Sequence, residues 1–116
     1  MARGELEGEE VSEITGLEGG RARFADLSLG DGRALELIEF TSEEVTPVDA
    51  NFYDPGSGHL SLRVASAAET HAALVAAGAP VRSEPVELTE PGYWFGARCF
   101  YAADPDGVTV EIIERP

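Results

Sequence analysis

From Gly58 to Val64 the chain reads Gly-His-Leu-Ser-Leu-Arg-Val. Alternation of polar and apolar residues over that many positions points to one local structure, a half-buried β-strand. Side chains on a strand face opposite ways in turn. His59, Ser61 and Arg63 therefore share one face, and Leu60, Leu62 and Val64 share the other. The leucine face requires a core. The other face carries an imidazole, a hydroxyl and a guanidinium, a set that suits either a cavity wall or a half-exposed edge. The run Asp54-Pro55-Gly56-Ser57-Gly58 frees the backbone just before this strand.

Beyond this strand the chain is equally patterned. Ser66-Ala67-Ala68-Glu69 fits a capping box and predicts a helix to about Ala77. Gly78 is placed to end that helix and Pro80 to prevent its return. His71, set among alanines on the helix, is expected on the solvated surface. Val81 to Leu88 reads as a strand interrupted at Glu84-Pro85. Thr89 to Gly96 is a loop bearing Tyr93, Trp94 and Phe95, aromatics that suit a pocket rim or a fold-back over the core. Arg98 to Ala102 and Val108 to Glu114 are strands joined by the turn Asp104-Pro105-Asp106-Gly107. The second half is thus β-α-β-β-β.

The first half offers less. Residues 1–10 are acidic and glycine-bearing and are expected to be flexible. Val11 to Leu17 reads as the start of a strand. Arg21 to Leu29 and Ala34 to Phe40 form a hairpin around Gly30-Asp31-Gly32. No helix is predicted before residue 58. A long loop covers residues 42–57.

A chain of 116 residues suits one domain. Eight basic residues against 22 acidic ones give a net charge of −14, a field that repels nucleic acid and anionic membranes. No apolar run approaches the ~20 residues of a membrane span. The start of the chain lacks the apolar core of a signal peptide. A single cysteine, Cys99, permits no internal disulfide and fits a cytoplasmic location.

Three stretches together resemble one family: Leu35-Glu36-Leu37-Ile38-Glu39, Gly58 to Val64, and Asp104-Pro105-Asp106-Gly107 leading into Val108-Thr109-Val110-Glu111-Ile112-Ile113. They are similar to the vicinal oxygen chelate superfamily of glyoxalases, bleomycin-resistance proteins and extradiol dioxygenases. The resemblance implies an α+β fold of paired βαβββ modules whose sheets curl into a cup. The first module, residues 11–41, would be incomplete, lacking its first strand and helix. Residues 42–57 would link it to a full second module at 58–115, the whole forming one domain over 11–115.

The same resemblance implies a divalent metal (Zn, Ni, Mn or Fe) held by Glu36, His59 and Glu111, a donor set of the right hardness. Glu111 or Glu36 would move a proton in catalysis. Arg63, Trp94, Arg98 and Phe100 would contact the ligand. The activity implied is that of a metal-dependent lyase, isomerase or dioxygenase on a small oxygenated metabolite. The alternative is a non-catalytic protein that sequesters a small cationic aromatic molecule. Leu35 and Leu37, left without a covering helix, would drive assembly into a homodimer or larger homo-oligomer.

Overall fold

The structure, a computed structural model, describes residues 1–116. The chain folds as two compact units, Met1–Thr46 and Pro47–Pro116. The architecture is mixed α+β with two separate sheets. No helix is long and apolar enough to cross a membrane.

The second unit begins with β4 (His59–Arg63), after the strands β1 to β3 of the first. α2 (Ala67–Ala76), β5 (Val86–Glu87), β6 (Arg98–Ala103) and β7 (Thr109–Glu114) come next. The sheet order is β4-β7-β6-β5, with β4 parallel to β7 and the other pairs antiparallel. A strand returning parallel to the first needs a long crossover, and α2 lies within it. The Ser66 hydroxyl accepts the Glu69 amide at 3.2 Å, which starts the helix as the capping pattern requires. Ala67, Phe100, Ala102 and Ile112 form the buried core beneath α2, with Leu62, Leu74 and Val110 packed around them. The expected strand Val81–Leu88 shrinks to two residues plus a bridge from Val81 to Ala102, consistent with the break at Pro85.

The first unit comprises β1 (Ala2–Leu6), α1 (Glu9–Thr15), β2 (Ala22–Ser28) and β3 (Ala34–Phe40), its strands forming one antiparallel sheet, order β1-β2-β3. Two expectations are corrected here. Residues 2–6, expected to be flexible, pair along the whole of β1 with β2. Residues 11–15, read as the start of a strand, are helical. The acidic first turn, Glu9 and Glu10, suits a helix N-terminus, and left-handed Gly16 ends the helix. Gly4 lies beneath the Phe24 ring, where a Cβ would come within 2.9 Å of the ring edge.

β1 and α1 do not fill the place of the module's absent strand and helix. β1 lies beside β2 as β5 lies beside β6. α1 has no buried residue and leaves Ile14 in solvent. The β2–β3 hairpin repeats β6–β7 at a constant spacing of 75 residues: Asp26 opposes Glu36 as Tyr101 opposes Glu111, and Ser28 opposes Ala34 as Ala103 opposes Thr109. What the first unit lacks is any strand beside β3 corresponding to β4, which lies parallel to β7.

Candidate functional site in the second unit

The parallel pairing of β4 with β7 builds the site. Its register sets Ser61 opposite Glu111 and His59 opposite Thr109. Alternation along both strands places His59, Ser61, Arg63, Thr109, Glu111 and Ile113 on the face turned away from α2. The Ser61 hydroxyl donates to Glu111 Oε1 at 2.9 Å. His59 Nε2 stands 3.7 Å from Glu111 Oε2, beyond hydrogen-bond range. The carboxylate is thus held on one oxygen, and its other oxygen faces an imidazole nitrogen. Nowhere in the chain do three His, Cys, Asp or Glu side chains gather in a group that could hold a metal ion.

β6 supplies the next wall. Tyr101 opposes Glu111 across the β6–β7 ladder. Its ring lies 5.4 Å from the His59 ring and 5.7 Å from Phe52, and the Arg82 guanidinium caps Phe52 at 4.2 Å. Burial first, and then the Glu111 charge, push the Tyr101 phenol and the Cys99 thiol above their usual ranges. Both remain protonated at neutral pH, so Cys99 is not a thiolate nucleophile. An open cleft of about 310 Å³ is lined by Leu88, Trp94, Cys99, Tyr101, Glu111 and Ile113. A larger cleft of about 430 Å³ runs along the loop Glu87–Trp94 and includes neither His59 nor Glu111. Of the two, only the smaller includes Glu111.

The expected site residues separate accordingly. His59 and Glu111 come together, and Trp94 lines the cleft beside Glu111. Arg63 is exposed on the same strand face as His59. Phe100 does not reach the cleft: it is 3 % exposed and belongs to the core under α2. Arg98 is two residues from Phe100 on the same strand, so it shares the helix-side face and lines neither cleft. Glu36 lies in the first unit, exposed, opposite Asp26. His71, expected in solvent, is 8 % exposed, edge-on to Phe100, with Nε2 buried and unpartnered.

Tyr101 is a wall of the site that the sequence pattern did not single out. Its signal was present: a five-residue connection from Ala103 to Thr109 fixes Tyr101 opposite Glu111.

The model of the Glyoxalase/Bleomycin resistance protein/Dioxygenase superfamily matches residues 8–112. The chain belongs to that superfamily. A crystal structure of a glyoxalase family protein from Bacillus cereus shares its fold with a TM-score of 0.82 at 23% identity, covering 98% of this chain and 75% of the other. No curated protein matches. The expected α+β architecture therefore stands, including a second unit of βαβββ order.

Proposed function

We propose that the second unit of this superfamily member binds a divalent metal through His59 and Glu111 and acts on a small oxygenated molecule in the Trp94 cleft. The observation that carries this reading is the convergence of one imidazole nitrogen and one carboxylate oxygen from adjacent parallel strands, 3.7 Å apart. Two donors each about 2.0–2.2 Å from a shared ion stand at a similar separation. Ser61 turns the carboxylate toward His59, the orienting role that a hydroxyl behind a metal ligand plays. A bound divalent ion would supply Lewis-acid polarisation of a carbonyl or enediolate oxygen. Glu111 is the group that would accept or return a proton beside it. Glu36 occupies the matching register position on β3 of the first unit and is proposed as a ligand within that unit.

A metal titration read out by thermal unfolding tests the proposal. Ni²⁺, Zn²⁺ or Mn²⁺ at 100 times its dissociation constant should stabilise the protein by about 2.7 kcal/mol. His59→Ala and Glu111→Gln should each remove that response, and Glu36→Gln should weaken it less. An unchanged melting temperature with all three ions in the unsubstituted protein would sink the metal reading.

The aromatic lining supports a second reading, binding of a cationic aromatic molecule without turnover. Trp94 and Tyr101 flank the carboxylate of Glu111 in the cleft, a setting that attracts cations. Trp94 is the only tryptophan, so ligand quenching of its fluorescence without product formation would favour this alternative.

A further inference from the structure

All eight basic residues of the chain are arginines, and the two that pair with carboxylates, Arg23 and Arg33, belong to the first unit. The second unit sets four arginines, Arg63, Arg82, Arg98 and Arg115, among ten carboxylates, and none of the four is ion-paired. An unpaired guanidinium held in place is a ready partner for an anion, and the four differ in where they are held.

Arg82 is held beside the site. The bridge from Val81 to Ala102 sets Arg82 opposite Tyr101, whose carbonyl accepts the Arg82 amide at 2.9 Å. Val81 packs against the core, so Arg82, the next residue, faces the cleft side of the sheet. One row across that side therefore reads Ser61, Glu111, Tyr101, Arg82. Neighbouring strands lie about 4.8 Å apart, which sets the backbones of Glu111 and Arg82 about 10 Å apart with Tyr101 between them. Burial and the Glu111 charge raise the Tyr101 phenol, and the Arg82 charge opposes that rise, as a guanidinium beside the ring should.

Phe52 fixes the guanidinium. Its ring lies beneath Arg82 at 4.2 Å and edge-on to Tyr101. The turn that carries Phe52 is closed by Asp54 Oδ2, which accepts the backbone amide of Asn51 at 2.9 Å and its side-chain amide at 3.2 Å. Stacking uses the flat face of a guanidinium, whereas its five N–H donors lie in the plane. Those of Arg82 are free, because its side chain makes no hydrogen bond within the protein. The other three arginines are placed differently. Arg98 is on the helix side, Arg63 is exposed with no ring beneath it, and Arg115 stacks on Tyr93 and Trp94 four residues beyond Glu111.

We propose that Arg82 selects the substrate of this site: an oxo or hydroxy acid whose carboxylate pairs with Arg82 and whose oxygenated carbon lies at His59 and Glu111. The proposal rests on the reading of the Glu111 cleft given above and names its substrate class. A planar carboxylate matches the free edge of the guanidinium through two parallel N–H···O bonds. The row sets the length of the molecule, since its two ends must bridge the width of Tyr101, which a two-carbon acid does not do. The −14 charge of the chain repels free anions, so the attraction is local to Arg82 and screened beyond it.

Binding of 4-oxopentanoate to the full chain in buffer containing EDTA, followed by heteronuclear NMR, tests the subsite with no metal present. The Arg82 Nε–H signal and the Tyr101 and Glu111 amides should shift along one saturation curve. The neutral isostere 4-oxopentanamide should bind about tenfold more weakly or worse. Arg82→Gln should raise the dissociation constant of the acid about tenfold or more. Arg82→Lys, which keeps the charge and loses the fork, should raise it by a smaller factor. Arg82 is exposed, so both variants should keep the amide spectrum of the rest of the chain. Four results would each overturn the proposal: no shift at tens of millimolar 4-oxopentanoate, equal binding of acid and amide, a response that survives Arg82→Gln, or shifts with benzyltrimethylammonium in place of the acid. A response lost in Arg115→Gln instead would move the anion to the Trp94 end of the cleft. The metal titration decides separately: a chain that binds the acid and no metal loses the metal reading and keeps the Arg82 subsite, and one that binds metal and no acid loses only this proposal.

Discussion

Two hairpins of equal register, β2–β3 and β6–β7, end in different circumstances. Around β7 a parallel strand and a helix bury Ile112 and Phe100 and orient Glu111. Around β3 neither is present, and the corresponding leucine stands half in water. The hairpin is therefore a transferable frame, while the site and the core come from the strand and helix laid against it. A carboxylate at the right register becomes a site only when a neighbouring strand supplies its partners.

The largest effect that would break this comparison is in the cores. Phe100→Ala removes a buried ring packed beneath α2 and should cost about 3–5 kcal/mol. Leu37→Ala, at a position exposed on the bare face of β3, should cost under about 1 kcal/mol. Urea unfolding of both variants measures the difference. Equal losses would mean that the β3 face is covered in solution.

The two anchoring glutamates give a smaller contrast. Glu114→Gln weakens the charged acceptor of the Ala67 amide and should destabilise by about 1 kcal/mol. Glu39→Gln breaks only an exposed pair with Arg23 and should leave the unfolding midpoint unchanged. Helix content by circular dichroism separates a frayed α2 from a general loss of structure. A large effect of Glu39→Gln would show that Glu39 already holds something that the isolated first unit does not.

Much of the second unit was legible in the sequence because its signals are local. The alternation at His59–Val64, the Ser66 cap, Gly78 and the Asp104–Gly107 turn each act within a few residues. The first unit hid β1 and α1 because neither buries an apolar face. The strand Ala-Arg-Gly-Glu-Leu alternates only with small residues, Ala2 and Gly4, where large apolar ones would mark a core face, and α1 is held without a buried residue. The site was half legible. His59 and Glu111 emerge from face and register, but Phe100 looks like a ligand contact only because aromaticity does not reveal a face. One further step of alternation exchanges it for Tyr101. His71 misleads in a similar way: its neighbours Ala72 and Ala73 are exposed, but its own side of α2 turns inward and sets the imidazole edge-on to Phe100.

The smallest expected effect concerns titration beside Glu111, a feature of the second unit alone. Tyr101 and Cys99 both have raised pKa values, from burial first and the Glu111 charge second. A raised folded-state value means that the unfolded chain releases the proton first as pH climbs. The stability linked to these groups is therefore complete below the unfolded-state values, about 8.5 for the thiol and about 10 for the phenol. It is lost as pH rises through the folded-state values above them. Unfolding free energy should fall across the alkaline range, beginning near the unfolded-state value of the thiol. The Tyr101→Phe and Cys99→Ser variants should each flatten that fall. Glu111→Gln should flatten it as well, by removing the charge that both groups feel. Asp26, which holds the register position of Tyr101 in the first unit, carries neither a phenol nor a thiol, so Asp26→Asn should leave the alkaline slope untouched. A slope unaffected by Tyr101→Phe and Cys99→Ser would mean that neither group is buried beside the Glu111 charge in solution, and the cleft would then lack its tyrosine and cysteine walls.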